Sequence, residues 1–164
     1  DTLIGVGRAP RFDDRHNLHF TEAFIHEVFR HSSFSPFTLP HCTTTDTDLN
    51  GYFIPKNTCI FVNVYQVLHD PAQWKDPYCF KPERFLDKDG KLDKQKAQNV
   101  IIFGMGVRKC LGEELARNEL FLILSMILQT LKLEKKPSDE LTFTPINGMN
   151  LKPKKYMMKV LARY

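Results

Sequence analysis

The sequence predicts an α+β fold that is mainly α-helical. Apolar residues recur at helical spacing from Leu18 to His31 and again from about Glu113 to Leu131, and β-rich runs separated by turn-forming residues lie elsewhere. The 164 residues are 42% hydrophobic and 26% charged, with a net charge of +4, which suits one domain with a real core. We therefore treat residues 1–164 as a single unit.

The first predicted helix follows a polar connector at residues 8–17. We expect it to run from Leu18 to His31, to end at Ser32-Ser33 before Pro36, and to be largely buried through a wide apolar face. That face comprises Phe20, Ala23, Phe24, Ile25, Val28 and Phe29. Glu27 and Arg30 are three residues apart, so they lie on one side of the helix.

The middle of the chain is predicted to form a small mixed sheet. Residues 39–48 are expected to be extended, Asn50-Gly51 to make a hairpin turn before residues 52–54, and residues 59–68 to form a second β-rich run. We expect one helical turn at residues 72–75, a proline-punctuated loop at residues 76–86 and an exposed charged segment at residues 87–98.

A long helix is predicted after Gly112. Its apolar stripe should be buried on most sides and comprises Ala116, Leu120, Ile123, Ile127 and Leu131. Residues 137–161 have β and turn character, with a turn at Asn147-Gly148 and a final strand at residues 156–161.

The four cysteines predict reduced thiols and no disulfide framework, because they form no C-x-x-C pair and follow no secretory leader. No apolar run approaches the roughly 18 residues of a membrane span, and no targeting peptide is visible.

The segment from Phe103 to Gly112 has the character of a ligand-binding loop. Gly104, Gly106 and Gly112 let the backbone turn sharply and approach a flat ligand closely. Cys110 lies where the next helix begins, and a helix N-terminus favours a thiolate. A thiolate is a good soft ligand for iron. Alone, Cys110 could equally be a core thiol.

Three motifs carry a resemblance to the cytochrome P450 family. Residues 103–112 match its F-x-x-G-x-R-x-C-x-G loop, residues 27–30 resemble its E-x-x-R helix, and residues 82–85 resemble its P-E-R-F segment. The resemblance implies the carboxy-terminal part of that fold: the E-x-x-R helix, a small β-sheet, the cysteine haem loop, a long final helix and a terminal β-hairpin. We therefore expect a partial catalytic domain without the family's long central helix, incomplete and inactive alone.

The resemblance also implies roles for individual residues. Cys110 would be the axial ligand of the iron of haem b (iron protoporphyrin IX), and this chain would hold no other catalytic residue. The expected cofactor-binding residues are Phe103, Gly104, Gly106, Arg108, Gly112 and His41, with Arg108 and His41 on the propionates. The family's structural ionic cluster would be Glu27, Arg30 and Arg84. The candidate substrate contacts are Ser35, Phe37, Leu39, Met149 and Asn150. His41 and the substrate candidates could instead have ordinary structural roles.

The activity implied is a monooxygenase that inserts one oxygen atom from dioxygen into apolar organic substrates. Residues 30–34, 37–38, 40–41 and 101–106 look most like the microsomal family 1 enzymes, which oxidise aromatic xenobiotics and some steroids. The resemblance implies electrons from NADPH through NADPH-cytochrome P450 reductase. It also implies the cytosolic face of the endoplasmic reticulum membrane, reached through an amino-terminal anchor that this chain does not carry.

Three other functions compete with this interpretation. A non-catalytic truncated product of such a gene would lack turnover, and the sequence preceding Asp1 would discriminate. Zinc hydrolysis is disfavoured because His26 and His31 are five residues apart, not the four that place two ligands on one helix face. Nucleic-acid binding would rest on the basic run at residues 152–155 but lacks a recognition motif, so we expect no nucleic-acid partner.

Overall fold

The computed structural model describes residues 3–138 and 140–164. Along these residues the α-helices are α1 (His19–Ser32), α2 (Val64–Leu68), α3 (Lys94–Gln98) and α4 (Glu113–Thr130). The strands are β1 (His41–Cys42), β2 (Thr47–Leu49), β3 (Tyr52–Ile54), β4 (Cys59–Ile60), β5 (Leu131–Glu134) and β6 (Lys159–Ala162). Short 3₁₀ helices occupy Phe12–His16, Pro82–Phe85 and Gly106–Arg108. Helix thus exceeds strand, as the α+β, mainly α prediction requires.

Helix α1 has nearly the predicted bounds, but its buried face differs from the predicted one. Ala23, Ile25 and Phe29 are buried as expected, whereas Phe20 is 54% exposed and Val28 is also exposed. Four polar residues take the remaining buried positions, and they are Glu22, His26, Glu27 and Arg30. Each finds a polar partner on another element or within the helix, and such pairing is what makes buried charge tolerable.

The strands form three two-stranded antiparallel sheets, β1-β4, β2-β3 and β5-β6, so the predicted mixed sheet is wrong for the described residues. The β2-β3 hairpin at Asn50-Gly51 is confirmed, with Leu49 opposite Tyr52. Asn50 has φ 53° and Gly51 has φ 84°, and positive φ at both central residues is the mark of a type I′ turn.

The second predicted β-run is wrong beyond its first residues. Strand β4 covers only Cys59–Ile60, and α2 begins at Val64. The Asn63 side chain accepts a hydrogen bond from the Gln66 amide at 3.0 Å, which caps α2. Val64 and Leu68, four residues apart, are both buried by this turn of helix. Capping and burial together outweigh the β propensity of the run.

One local prediction is confirmed in substance, and another needs correction. Residues 71–74 form a turn closed by the Trp74 amide, which donates to Asp70 O at 2.9 Å, and this i→i+4 bond makes the single helical turn expected at residues 72–75. The charged segment at residues 87–98 is mostly exposed, but it contains α3, whose N-cap is Asp93 and whose Ala97 is buried. One small apolar residue, Ala97, is therefore enough to hold this charged segment against the core.

Helix α4 exists as predicted, but the prediction that it is buried on most sides is wrong. Its buried residues are Phe121 and Ser125, and the predicted stripe through Leu120 and Ile123 is exposed at those two positions. The helix contacts α1 and the Phe12–His16 helix, and Arg15 donates a hydrogen bond to Asn118 at 2.7 Å. Periodicity predicts a helix correctly, whereas the buried face depends on which elements pack against it.

Strand β5 follows α4 directly and was not predicted. It pairs with β6, with Leu131 opposite Ala162, and β6 begins three residues later than the predicted final strand. The chain turns between Ile146 and Lys152, which form an isolated antiparallel bridge around the predicted Asn147-Gly148 turn.

The core is centred on α1. Its members come from α1, α2, the turn at residues 71–74, the Pro82–Phe85 helix, α3, the segment before the cysteine loop and α4. They are Ala23, Ile25, Phe29, Val64, Leu68, Trp74, Phe85, Ala97, Val100, Ile102 and Phe121. Since Val100 and Ile102 are buried just before Phe103, the start of the cysteine loop is anchored in the core. Among the residues that the structure describes, no helix has both the length and the apolar character needed to span a membrane.

Candidate functional site

The loop around Cys110 is held by its own backbone hydrogen bonds. The Cys110 amide donates to Phe103 O at 2.8 Å, and the Lys109 amide donates to Gly106 O at 3.2 Å. Gly104 (φ 78°) and Gly106 (φ 68°) adopt left-handed conformations that favour glycine. These two residues allow the chain to double back, so that Cys110 lies beside Phe103 at the mouth of the loop.

The Cys110 side chain is exposed, and three exposed apolar residues lie within five positions of it in the sequence. Val107 and Leu111 have relative exposures of 101% and 103%, and Met105 is also exposed. A Cβ added to Gly112 would lie 3.9 Å from the Cys110 sulfur, which is ordinary contact. An open sulfur beside uncovered apolar side chains fits a large apolar ligand carrying a soft metal.

Arg117 connects this loop to α1 and was not identified from the sequence. Its guanidinium lies 5.1 Å from the ring centroid of Phe29 and 5.2 Å from that of Phe103. The two rings are themselves in edge-to-face contact, with centroids 5.2 Å apart. Glu113 accepts a hydrogen bond from Arg117 Nε at 3.0 Å. The i, i+4 spacing of the two residues would have allowed this pair to be predicted from the sequence.

His26 is a second residue that sequence reasoning missed as a site component. Its Nδ1 lies 3.4 Å from Arg117 Nη1, and because guanidinium only donates, Nδ1 is the acceptor. Burial lowers the pKa of His26 to about 3, and the positive charges of Arg117 and Arg15 act in the same direction. The imidazole is therefore neutral. His31 lies against Tyr78, Phe80 and Phe143 instead, so the two histidines have separate surroundings.

The structure brings Glu27, Arg30 and Arg84 together in a buried ionic cluster. Arg30 donates two hydrogen bonds to the Glu27 carboxylate, at 2.7 and 2.9 Å. Arg84 Nε donates to the same carboxylate at 3.2 Å. The Glu27 and Arg30 side chains are fully buried, and that of Arg84 is 10% exposed.

Backbone groups make further hydrogen bonds to the side chains of the cluster. Arg30 donates to Leu68 O at 2.9 Å, and Arg84 donates to Lys75 O at 2.7 Å and to Cys79 O at 3.0 Å. The Lys81 amide donates to Glu27 at 2.7 Å. The three side chains thus join α1 to the C-terminal end of α2 and to the loop that carries the Pro82–Phe85 helix.

The other predicted cofactor residues lie on the surface. His41 is exposed on β1 opposite Ile60, and Arg108 is exposed at the end of the 3₁₀ turn in the cysteine loop. Within residues 3–138 and 140–164, neither side chain has a hydrogen-bond partner that would compete with a ligand, and both can donate to carboxylate groups.

The candidate substrate contacts lie on two segments that a hydrogen bond ties together. The Leu151 amide donates to Phe34 O at 2.8 Å, which joins the turn containing Met149 and Asn150 to the segment following α1. Ser35 donates to Phe37 O at 3.0 Å. The side chains of Phe37, Leu39 and Met149 are exposed. The two segments therefore lie next to each other at this hydrogen bond.

A cavity of about 470 Å³ is lined by residues of α1, α3, α4 and the cysteine loop. Its charged lining residues carry both signs, and they are Arg15, Lys94, Lys109, Arg117, Glu22 and Glu113. Arg15 is paired with the buried Glu22 at 2.7 Å, so the positive charges left without an ion partner at this rim belong mainly to lysines.

The chain as a whole matches a known family of proteins. The family model described as Cytochrome P450 matches residues 1–160, and the chain belongs to this family. The chain is 52% identical over 161 residues to cytochrome P450 1A3 of Oncorhynchus mykiss and 50% identical to cytochrome P450 1A1 of Opsanus tau. Each alignment covers 98% of this chain and 31% of the relative. The predicted family resemblance is therefore confirmed.

Proposed function

We propose that the protein is a haem-dependent monooxygenase whose axial iron ligand is Cys110. The observation that carries the proposal is the exposed thiol, placed in a glycine-shaped backbone loop beside exposed apolar side chains. Haem, when bound, supplies the dioxygen chemistry by which one oxygen atom is inserted into an apolar organic substrate. The protein supplies the ligand, the orientation and the surroundings.

Cys110 would hold the iron through its sulfur. The bond from the Cys110 amide to Phe103 O fixes the backbone at the ligand, and Arg117 stacks on the Phe103 ring from the core side. The sulfur is therefore carried by a backbone whose position is fixed. A metal ligand needs such a fixed position. Gly104, Gly106 and Gly112 would leave room for the macrocycle.

Arg108 and His41 would bind the two propionate groups of haem b. Arginine presents a fork of donors that matches a carboxylate, and a histidine donates through one ring nitrogen. Their exposure in the chain leaves both side chains able to reach a carboxylate. Together with Cys110 they would define the tilt of the bound group.

The cluster of Glu27, Arg30 and Arg84 would be structural. It holds the loop at residues 75–82 against α1, and α1 also carries Phe29, which contacts the cysteine loop through Phe103. Its effect on activity would be indirect, through the position of the loop.

Substrate would contact the apolar side chains of Phe37, Leu39 and Met149, with Ser35 and Asn150 as polar neighbours. The resemblance to the microsomal family 1 enzymes implies aromatic xenobiotics or steroids as the substrate class. Electrons would come from NADPH through NADPH-cytochrome P450 reductase, with Lys109 on the docking surface. The location would be the cytosolic face of the endoplasmic reticulum membrane.

The proposal is tested by haem titration and turnover of the full polypeptide with its reductase. We expect the wild type to bind haem, to give the carbon monoxide difference spectrum of a thiolate-ligated iron and to oxidise a planar aromatic substrate. Cys110→Ser should lose both the spectrum and the turnover, whereas Cys59→Ser on β4 should keep both. Equal spectra and turnover in all three proteins would refute the assignment of Cys110.

A further inference from the structure

Two of the four cysteines lie directly opposite each other on neighbouring strands. In the antiparallel pair β1-β4, Cys42 is the register partner of Cys59. Both thiols are free and both side chains are exposed. Directly opposed residues of an antiparallel pair project from the same face, so the two sulfur atoms share one side of the sheet.

The hydrogen bonds next to this pair define its type. The Thr43 amide donates to Thr58 O at 3.1 Å, so Thr43 and Thr58 occupy a hydrogen-bonding position of the ladder, although the Thr58 amide donates to the Thr43 hydroxyl and not to its carbonyl. Pairs alternate along an antiparallel ladder, so Cys42 and Cys59 form the non-hydrogen-bonded pair, with Cα atoms about 4.5 Å apart. A disulfide spans Cα separations of about 4.4 to 6.8 Å. The backbone spacing therefore accepts an S–S bond without moving a strand.

Thr43 keeps the two strands in this register. Its carbonyl accepts a hydrogen bond from the Asn57 amide at 2.9 Å, and its hydroxyl oxygen accepts one from the Thr58 amide at 2.9 Å. The same hydroxyl donates to Pro55 O at 2.7 Å. A slip of the register would break all three bonds, so the two thiols stay opposed.

We propose that Cys42 and Cys59 form a reversible cross-strand disulfide when the protein meets a hydroperoxide. One thiolate attacks the O–O bond, becomes a sulfenic acid and releases the alcohol, or water if the oxidant is hydrogen peroxide. The second thiol then attacks that sulfur, the S–O bond breaks and the oxygen leaves as water. The two thiols lose two electrons and two protons, and the hydroperoxide takes up both. A glutathione-type thiol reverses the reaction and is itself oxidised to a disulfide.

The bond would lock the strand that carries His41. It closes the chain between residues 42 and 59, which includes the β2-β3 hairpin, and it ties β1 covalently to β4. His41 immediately precedes Cys42, so its backbone position would be held in the oxidised protein. The consequence for haem rests on the proposed role of His41, whereas formation of the bond does not.

Trypsin makes the bond directly measurable in the full chain. Cleavage after Arg30, Lys56 and Lys75 places Cys42 on peptide 31–56 and Cys59 on peptide 57–75, and the other two cysteines fall on different peptides. After treatment with hydrogen peroxide and alkylation of the remaining thiols, we expect the two peptides joined, with the loss of two hydrogen atoms. Dithiothreitol should separate them.

Variants and isotope labelling complete the test. Cys42→Ser should abolish the joined peptide, and the matched control Cys79→Ser should leave its yield unchanged. A mixture of ¹⁵N-labelled and unlabelled chains should give joined peptides that are either wholly labelled or wholly unlabelled. Separate oxidation of the two peptides without joining, or peptides of mixed isotope composition, would overturn the proposal. Neither readout depends on haem, so the result stands apart from the outcome of the Cys110 experiment.

Discussion

Replacement of Glu27 by glutamine should destabilise the protein strongly, because it removes the only carboxylate of a buried cluster. The carboxylate accepts two hydrogen bonds from Arg30, one from Arg84 and one from the Lys81 amide. In Glu27→Gln the fully buried Arg30 keeps its charge but faces only neutral oxygen acceptors, namely the new amide and the carbonyls of Leu68 and Cys79. Breaking a buried pair in this way costs about 3 to 5 kcal/mol.

The assay is chemical denaturation of the full polypeptide, followed by circular dichroism. Glu119→Gln is the matched control, since Glu119 is exposed on α4 and such substitutions change stability by less than about 0.5 kcal/mol. The double variant Glu27→Met with Arg30→Met removes both fully buried charges. We expect it to be more stable than Glu27→Gln, because apolar replacement of a whole pair is often neutral.

The result that would refute this reasoning is a small effect of the single change. If Glu27→Gln lowers the free energy of unfolding by less than about 1 kcal/mol, Arg30 is not left uncompensated in a dry site. A double variant that is less stable than the single one would contradict it in a second way, because the loss would then come from packing.

Three further predictions concern the pH dependence, the loop and a cap. Burial lowers the pKa of His26 to about 3 in the folded protein, against 6.5 for an unperturbed histidine, so acidification protonates the unfolded chain first and stability falls below pH 6.5. The free energy of unfolding should fall by about 2 to 3 kcal/mol by roughly pH 4.5. Urea titrations across this pH range should show the fall in the wild type and a flatter profile in His26→Gln. Gly104→Ala should lower the free energy of unfolding by about 1 kcal/mol, and with it the melting temperature, because φ at this residue is 78°. Gly112→Ala should lower it by less, because φ there is −88°. Asn63→Ala should cost about 1 kcal/mol in the same assay, because the Gln66 amide loses its cap.

Local signals allowed much of the fold to be predicted. The bounds of α1 follow from its periodicity and from the serines that end it, and the hairpin at Asn50-Gly51 follows from residues that accept positive φ. Helix α2 was missed because its five residues read as a β-run, and only the cap at Asn63 distinguishes it. A short helix carries too few residues for periodicity to settle its type.

The site was predictable where a motif carried it and not where partners are distant in sequence. The spacing of Glu27 and Arg30 is visible, but Arg84 joins them from 57 residues beyond Glu27, and only the family resemblance indicated it. Arg117 and His26 are 91 residues apart, and no local pattern relates them. The opposition of Cys42 and Cys59 depends on strand register, which a two-residue strand does not reveal in a sequence.

The central claim is a bond between the sulfur of Cys110 and haem iron. Extended X-ray absorption at the iron edge of the haem-loaded full polypeptide measures this bond directly. We predict one iron–sulfur scattering path per iron in the wild type and in Cys59→Ser, and its loss in Cys110→Ser. An iron–sulfur path of equal amplitude in Cys110→Ser, or none in the wild type, would contradict the account.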